Sequence, residues 1–149
     1  MTEIEFQVRG QPVPQGSMVK GRYGPLRYAN DIPLKAWRGA IAQECRIAMR
    51  GLPAFPGAVR VYVTFVVARP RSHRRTDGTL RASAPIYPAG RPDVDKLSRA
   101  CLDAITAVAV DDDSQVVSLI ADKTYSDTDT PVGCVVRIVE LPQHREVAA

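Results

Sequence analysis

The chain has 149 residues, of which 45% are hydrophobic and 24% are charged, and its formal net charge is +4. Such values are typical of a single globular domain with a modest core, and no apolar run approaches the roughly 20 residues that a membrane-spanning helix needs. The mild positive charge is by itself only weak support for a polyanionic partner such as nucleic acid.

The N-terminus and the cysteines indicate a protein of the cytoplasm. Residues 1–10 carry acids and alternate apolar with polar side chains, whereas a signal peptide has cations followed by an apolar run. The cysteines are odd in number, widely spaced and set among apolar residues, which favours buried thiols in a reducing compartment over disulfides or a zinc site. They are Cys45, Cys101 and Cys134.

The N-terminal part of the chain predicts a strand followed by a long loop. Residues 3–9 alternate apolar and polar side chains, as a half-buried strand does. The glycines and prolines that follow exclude regular structure over residues 10–17, and the loop continues to Asn30. Lys20 and Arg22 in this loop either reach a phosphate backbone or are simply solvated.

A helix is predicted to begin at Asn30 or Asp31, either of which can cap it, and to end at Gly51. An apolar stripe with spacings of three and four predicts one core-facing side. Its residues are Leu34, Trp37, Ile41, Cys45 and Ala48. The next segment, residues 58–68, is rich in β-branched side chains and predicts a strand.

Residues 69–90 form a long loop rich in arginine. Prolines and an Asp-Gly turn signal at Asp77 keep it irregular, and a loop of this length in a compact domain is usually functional or disordered. We interpret its arginines as contacts to phosphate groups. They are Arg69, Arg71, Arg74, Arg75 and Arg81.

Acidic residues lie on both sides of a second predicted helix, whose apolar stripe begins at Leu97. Asp93 and Asp95 precede the stripe. Three consecutive aspartates at residues 111–113 follow it and are either a solvated turn or, through Asp113, part of a fixed site. An acidic patch beside a basic loop suits the cutting of nucleic acid, because arginines can hold phosphates while carboxylates hold a metal ion.

The rest of the chain completes an α+β pattern. Residues 116–121 predict a buried strand and residues 133–141 predict the last strand, and the tail from residue 142 is expected to be flexible. The order is strand, helix, strand, long loop, helix, strand, strand. This order predicts one domain over residues 1–149, with a mixed sheet of about four to five strands and two main helices packed on one face.

The first pair of aspartates has both a structural and a chemical explanation. Asp93 can cap the helix with Asp95 in its first turn, and Asp95 can pair with Arg99. Alternatively, if residues 91–95 are extended and the helix begins at or after Asp95, both carboxylates point the same way and can share a metal ion. With no histidine or cysteine nearby, a hard ion such as Mg²⁺ suits converging carboxylates.

The string RPDVDKLSRACLDAI, the later DDDSQV and then Lys123 resemble the signature of the RusA family of Holliday junction resolvases. That signature is approximately D-x-D-N-L-x-K with a D-A-L/I helix, then D-D-S/A-Q-V and a later lysine. The resemblance covers residues 91–123. It departs from the family at Lys96, where asparagine is usual, and at Arg99, where the family has its catalytic lysine.

The resemblance also implies roles for individual residues. The carboxylates that it assigns to Mg²⁺, for which Mn²⁺ can substitute, are Asp93, Asp95, Asp113 and its neighbour Asp112. Arg99 would stabilise negative charge at the scissile phosphate, although an arginine cannot readily donate a proton as a lysine can. Lys96 could supply part of that role and contact DNA, and Lys123 is a further candidate contact.

The activity that the resemblance implies is that of a Mg²⁺-dependent homodimeric endonuclease, which nicks opposed strands of a four-way DNA junction in recombination and repair. A two-fold dimer would match the symmetry of the junction. The arginine-rich loop would follow the DNA backbone and the junction shape rather than base edges. Small resolvases of this family are often encoded by phages or prophages, in which case the protein would work in the host cytoplasm.

Three alternatives stay open from the sequence. The protein could cut branched or flap DNA without junction specificity. It could instead be a catalytically weak junction-binding protein that retains the fold, an alternative that the arginine at position 99 keeps open. A carboxylate-rich module for divalent ions, unrelated to DNA, would leave the basic loop unexplained.

Overall fold

The computed structural model describes residues 2–16, 18–20, 24, 26–28 and 31–147, with the backbone alone for 18–20 and 26–28. In chain order the elements are β1 (Glu3–Arg9), β2 (Met18–Lys20), β3 (Leu26–Tyr28), α1 (Asp31–Met49), β4 (Val59–Val67), α2 (Val94–Ile105), β5 (Val116–Tyr125) and β6 (Gly133–Glu140). Both predicted helices and all four predicted strands are present. The short antiparallel pair β2–β3 is an addition within the predicted N-terminal loop.

Four strands form one mixed sheet in the order β1-β6-β4-β5. The neighbours β4 and β5 run parallel, and the other pairs are antiparallel. Because parallel neighbours need a crossover connection, α2 lies between β4 and β5 in the chain and packs on the sheet. The predicted α+β fold is therefore confirmed, and β5 lies at one edge of the sheet.

The core lies between the two helices and one face of the sheet. The alternating pattern of β1 buries Ile4, Phe6 and Val8, as predicted for a half-buried strand. Trp37 in α1 is only 4% exposed, which confirms that it belongs to the predicted stripe. The opposite face of the sheet is polar, and there Arg137 Nε donates a hydrogen bond of 2.7 Å to Glu3.

Two element boundaries differ from the prediction. Helix α2 begins at Val94, three residues before the apolar stripe at Leu97, because the polar residues of its first turn face away from the core. Strand β5 continues to Tyr125, beyond the predicted end at residue 121, because β4 offers a pairing partner as far as Val67. The prediction that this strand is buried is wrong: none of its residues is buried, because β5 lies at the edge of the sheet.

The three cysteines are free and buried, as predicted. Burial raises the pKa of Cys45 and Cys134 to about 12, and it raises that of Cys101 well above the ordinary value. These thiols are therefore protonated core residues at neutral pH. Among the described helices none has the length and apolarity to cross a membrane.

Candidate active site

The start of α2 presents the first pair of candidate carboxylates. Asp93 is the N-cap residue, with an extended backbone (φ −74°, ψ 138°), yet its side chain accepts no capping hydrogen bond. Its carboxylate instead lies 3.4 Å from Lys96 Nζ, and both side chains are about half exposed. Capping therefore does not account for the Asp93 side chain, which faces solvent beside a cation.

The condition under which Asp93 and Asp95 would point the same way, that α2 begins at or after Asp95, is not met. Since the helix begins at Val94, Asp95 lies in its first turn, where the helix dipole favours a negative charge. Asp93 and Asp95 thus do not share an extended segment. The alternative ion pair between Asp95 and Arg99 is not formed either, and both side chains are exposed.

Two contacts fix the backbone around this helix start. Lys123 in β5 donates hydrogen bonds from Nζ to the carbonyls of Gly90 (2.7 Å) and Pro92 (2.8 Å). From the other side, the backbone N–H of buried Gln15 donates to the carbonyl of Lys96 (3.0 Å). The ammonium group of Lys123, a predicted DNA contact, therefore makes intramolecular hydrogen bonds in this structure.

An open pocket of about 500 Å³ borders the helix start, between it and the loop after β1. Asp93 and Lys96 reach this pocket from α2, and Arg91 reaches it from the preceding turn. Its remaining lining residues are Gln11, Pro12, Pro14, Gly16 and Pro92. The pocket combines one carboxylate with two cationic side chains, a composition that suits a phosphate group.

The second acidic group lies in the turn before β5. Asp112 caps a short 3-10 helix over Asp113–Gln115, and its carboxylate accepts a hydrogen bond of 2.8 Å from the N–H of Ser114. This bond lowers the pKa of Asp112. Asp112 therefore has a structural role, whereas Asp113 is exposed and makes no ion pair with the described residues.

Gln115 is a structural residue that our sequence reasoning missed. Its Oε1 accepts the backbone N–H of Asp112 in a capping box, and its Nε2 donates to the carbonyls of Phe55 (2.7 Å) and Gly57 (2.9 Å). The acidic turn is thereby tied to the segment that enters β4. The signal was present in the sequence, because an aspartate followed three residues later by glutamine is a capping-box pattern.

The two acidic groups lie at opposite ends of β5. Asp113 precedes Val116, the first residue of the strand, whereas Asp93 follows Pro92, which Lys123 binds near the strand's other end. At about 3.3 Å per residue, Val116 and Lys123 are roughly 23 Å apart along the strand. Within one chain, the intervening helix does not bring the carboxylates together.

The donor chemistry fits a hard divalent ion, since the candidate ligands are carboxylate oxygens without histidine or cysteine beside them. The number of donors that a single chain assembles does not complete such a site. In the part of the chain that the structure describes, no group of three or more His, Cys, Asp or Glu side chains could hold a metal ion. The predicted ligands thus fit a hard ion by residue type, but the described part of the chain does not bring three of them together.

Three side chains of the arginine-rich loop donate hydrogen bonds to backbone carbonyls of the same loop. Arg69 donates to the carbonyl of Pro85 (2.7 Å) and lies 4.2 Å from the ring centre of Tyr125. Arg74 and Arg81 likewise donate to carbonyls, those of Gly78 and Ser72 respectively. Three of the predicted DNA contacts therefore shape the loop.

Other predicted contacts are exposed or fall outside the described parts. The side chains of Arg71 and Arg75 are exposed and form no ion pair with the described residues. Lys20 lies in β2, where only the backbone is described, and Arg22 lies outside the described residues. Arg71 and Arg75 are therefore the loop's first candidates for contacts with phosphate groups.

An α+β domain with exposed carboxylates beside cationic side chains and an open pocket lined by both has the composition of a protein that acts on a phosphate polymer. The family model described as endodeoxyribonuclease RusA matches residues 9–138, which is most of the chain. The chain therefore belongs to the RusA endodeoxyribonuclease family, and this membership supports nuclease activity on DNA. No curated protein matches the chain.

Proposed function

We propose that the protein is a Mg²⁺-dependent, structure-selective endodeoxyribonuclease that resolves four-way DNA junctions by paired, symmetric hydrolysis. The observation that carries this proposal is the match to the RusA family over residues 9–138, which includes both acidic motifs. Family membership supports the activity on DNA, and the proposal adds the metal ion, the junction and the pairing of the cuts.

The metal ligands in this proposal are the carboxylates of Asp93, Asp95 and Asp113. Support comes from their exposure and from the absence of a capping bond to Asp93, which leaves its oxygens accessible. When bound, Mg²⁺ would activate water and offset the charge of the phosphate. Asp112 is a weaker candidate, because its carboxylate already accepts the N–H of Ser114.

Cationic side chains beside the carboxylates would position the scissile phosphate. Lys96 lies 3.4 Å from Asp93 and reaches the same pocket. Arg99 is on the same helix, exposed and without an ion pair to the described residues, so its guanidinium is available for phosphate oxygens. It would stabilise charge in the transition state without donating a proton.

The arginine-rich loop would hold the arms of the junction. Arg71 and Arg75 are its available cations, whereas Arg69, Arg74 and Arg81 keep the loop in shape through bonds to its carbonyls. Contacts of this kind address phosphates, so they select DNA by shape and are weakened by salt. The loop would therefore contribute structure selectivity.

Cleavage of a synthetic four-way junction tests the proposal, beside a linear duplex of the same sequence, with Mg²⁺, with Mn²⁺ and with a chelator. We expect paired nicks in the junction alone that need a divalent ion and disappear in Asp93→Asn. The matched control is Asp129→Asn, an exposed aspartate in the turn before β6, which should cut normally. Equal cutting of the duplex would remove the junction assignment, and tight binding without any cutting would indicate a binding protein.

A further inference from the structure

We propose that Ile86 and Tyr87, which we call the apolar tip of the arginine-rich loop, stack on a DNA base that is exposed where strands diverge at a branch point. The tip thereby distinguishes branched DNA from linear duplex, whose bases are covered by their neighbours. This inference takes its substrate from the proposed nuclease function, and it deepens that function by naming side chains that recognise the branch.

The first observation is the exposure of the tip. Ile86 and Tyr87 are adjacent in the chain, and they are 75% and 74% exposed. A single exposed apolar side chain is common on protein surfaces and needs no explanation. Two large apolar side chains in succession, each about three-quarters in solvent, instead indicate a surface that contacts a partner.

The second observation is that hydrogen bonds hold the backbone on both sides of the tip. Arg69 donates from Nη1 to the carbonyl of Pro85 (2.7 Å), immediately before the tip. Lys123 donates from Nζ to the carbonyl of Gly90 (2.7 Å), three residues after it. The exposure of the tip therefore belongs to a fixed part of the loop.

Prolines on either side of the tip restrict it further. The rings of Pro85 and Pro88 fix their own φ angles, and a residue that precedes proline, as Tyr87 does, favours an extended backbone. Pro88 is buried, and the N–H of Ala89 donates to the carbonyl of Tyr87 (2.9 Å). Because the tip is already ordered in the free protein, little conformational entropy is lost when it binds.

The charge around the tip indicates nucleic acid as its partner. Residues 69–91 contain six arginines and one acidic residue, Asp77. The carboxylate of Asp77 accepts hydrogen bonds from the hydroxyl (2.6 Å) and the N–H (3.0 Å) of Thr79 within the same turn. An aromatic side chain among cations is typical of surfaces that bind unpaired nucleic acid, because each nucleotide offers a flat base and a negative phosphate.

The tip also lies within reach of the start of α2. Tyr87 is six residues before Asp93, so the two are separated by about 20 Å or less. The ammonium of Lys123 binds the carbonyls of both Gly90 and Pro92, which shortens this path. Since successive nucleotides of one strand are about 3.4 Å apart, the tip reaches bases within roughly six nucleotides of a phosphate near Asp93.

Bases at a branch point are the ones that such a tip can contact. In linear duplex every base is paired and stacked, and its exposure costs free energy, least where the base is mismatched or already single-stranded. Proteins that kink DNA insert apolar side chains between base steps. The ring of Tyr87 supplies a flat face for one base, and Ile86 supplies an apolar contact beside it.

Binding measured in the presence of a chelator tests the tip without depending on cleavage. Tyr87→Ala should weaken binding to a four-way junction about 5–150-fold, which corresponds to one stacked base, and should leave binding to linear duplex unchanged. Tyr87→Trp keeps an aromatic face and should retain the preference for the junction. The matched control is Ile32→Ala, because Ile32 is an 82% exposed apolar residue at the start of α1 and should not affect either DNA.

Photo-cross-linking locates the contact on the DNA. Iodouracil is placed either at the branch point or within one arm of the junction, and the cross-linked residue is identified by mass spectrometry. We expect a cross-link to Tyr87 from the branch point and none from the arm. A cross-link to Tyr87 from the arm alone, or none from either position, would overturn the proposed contact.

The outcomes separate the tip from the proposed function. Equal losses on junction and duplex would overturn the base contact, because they would assign the tip to the DNA backbone. If the double variant Ile86→Ala, Tyr87→Ala binds and cuts junctions as the wild type does, the tip serves another partner, such as a protein, and the nuclease function stands. If the wild type prefers junctions through Tyr87 but cuts no DNA, the tip stands and the proposed function fails. A wild type that binds no DNA would overturn both.

Discussion

Lys123 donates a hydrogen bond of 2.8 Å to the carbonyl of Pro92, the residue immediately before Asp93. A second bond from the same ammonium, of 2.7 Å, reaches Gly90. The C-terminal end of strand β5 thereby holds the segment that leads into α2. Lys123 thus holds the backbone immediately before Asp93, and we expect it to position the proposed acidic site as well as, or instead of, contacting DNA.

Replacing Lys123 by methionine should lower both stability and cleavage. Two charge-assisted hydrogen bonds are lost at once, and we expect about 1–3 kcal/mol less free energy of unfolding in urea titrations. The matched control is Lys35→Met, since Lys35 is 74% exposed and its ion pair with Asp31 is of the weak surface type.

Salt dependence distinguishes this positioning role from a DNA contact. A lysine that neutralises a phosphate contributes about one unit to the slope of log K against log salt concentration. For Lys123→Met we expect weaker cleavage with an unchanged slope of junction binding. A slope reduced by about one unit would instead assign Lys123 to the DNA interface.

The adjacent carboxylates Asp112 and Asp113 should behave differently when they are replaced. Asp112→Ala removes the cap of the 3-10 helix and should lower the melting temperature by a few degrees, whereas Asp112→Asn keeps a capping oxygen and should retain cleavage. Asp113→Asn should leave the melting temperature unchanged and abolish cleavage. Loss of cleavage in Asp112→Asn would make Asp112 a metal ligand.

The pH dependence of stability also tests the structural role of Asp112. The hydrogen bond from Ser114 holds the pKa of Asp112 in the folded protein below the ordinary value of 3.8. Its contribution to stability is therefore present above that value and is lost as pH falls through the lower folded-state pKa. Acid unfolding curves of wild-type protein should show this loss, which Asp112→Asn removes.

The periodic segments of the chain could be predicted from the sequence, and the assembly of the site could not. Alternation in β1 and the stripe around Trp37 report burial directly, because each depends only on neighbours along one element. The two aspartate motifs predict carboxylate donors from residue type alone. Their separation along β5 depends on the parallel pairing of β5 with β4, which no local pattern encodes.

Tertiary contacts also explain why the structures of the basic loop and the acidic turn could not be predicted from local patterns. Five arginines in a loop indicate phosphate contacts by composition, yet Arg69 and Arg81 bond to carbonyls up to 16 residues away in the chain. Gln115 is uncharged, so the charge pattern of the acidic turn does not single it out. Its capping box could have been recognised, but its bonds to Phe55 and Gly57 depend on the tertiary fold.

Gly133 is a position at which only glycine fits. Its φ of +152° is rarely adopted by other residues, and a Cβ atom there would overlap the carbonyl oxygen of Val8 in the neighbouring strand. Gly133→Ala should therefore reduce the free energy of unfolding by roughly 3 kcal/mol or more. Gly39→Ala is the control, because Gly39 is exposed within α1 with open space around it and alanine should stabilise the helix by up to about 1 kcal/mol.

Replacement of Arg99 tests whether this arginine stabilises transition-state charge in place of the lysine that is usual in the family. Its side chain is exposed and has no ion pair with the described residues, so replacements should leave the melting temperature unchanged. Arg99→Met should lower kcat for junction cleavage about 10²–10³-fold, as removal of a transition-state donor does, while Arg99→Lys keeps the charge and should retain most of it. Full activity in Arg99→Met would assign the stabilisation of charge to Lys96, and Lys96→Met would then show the loss.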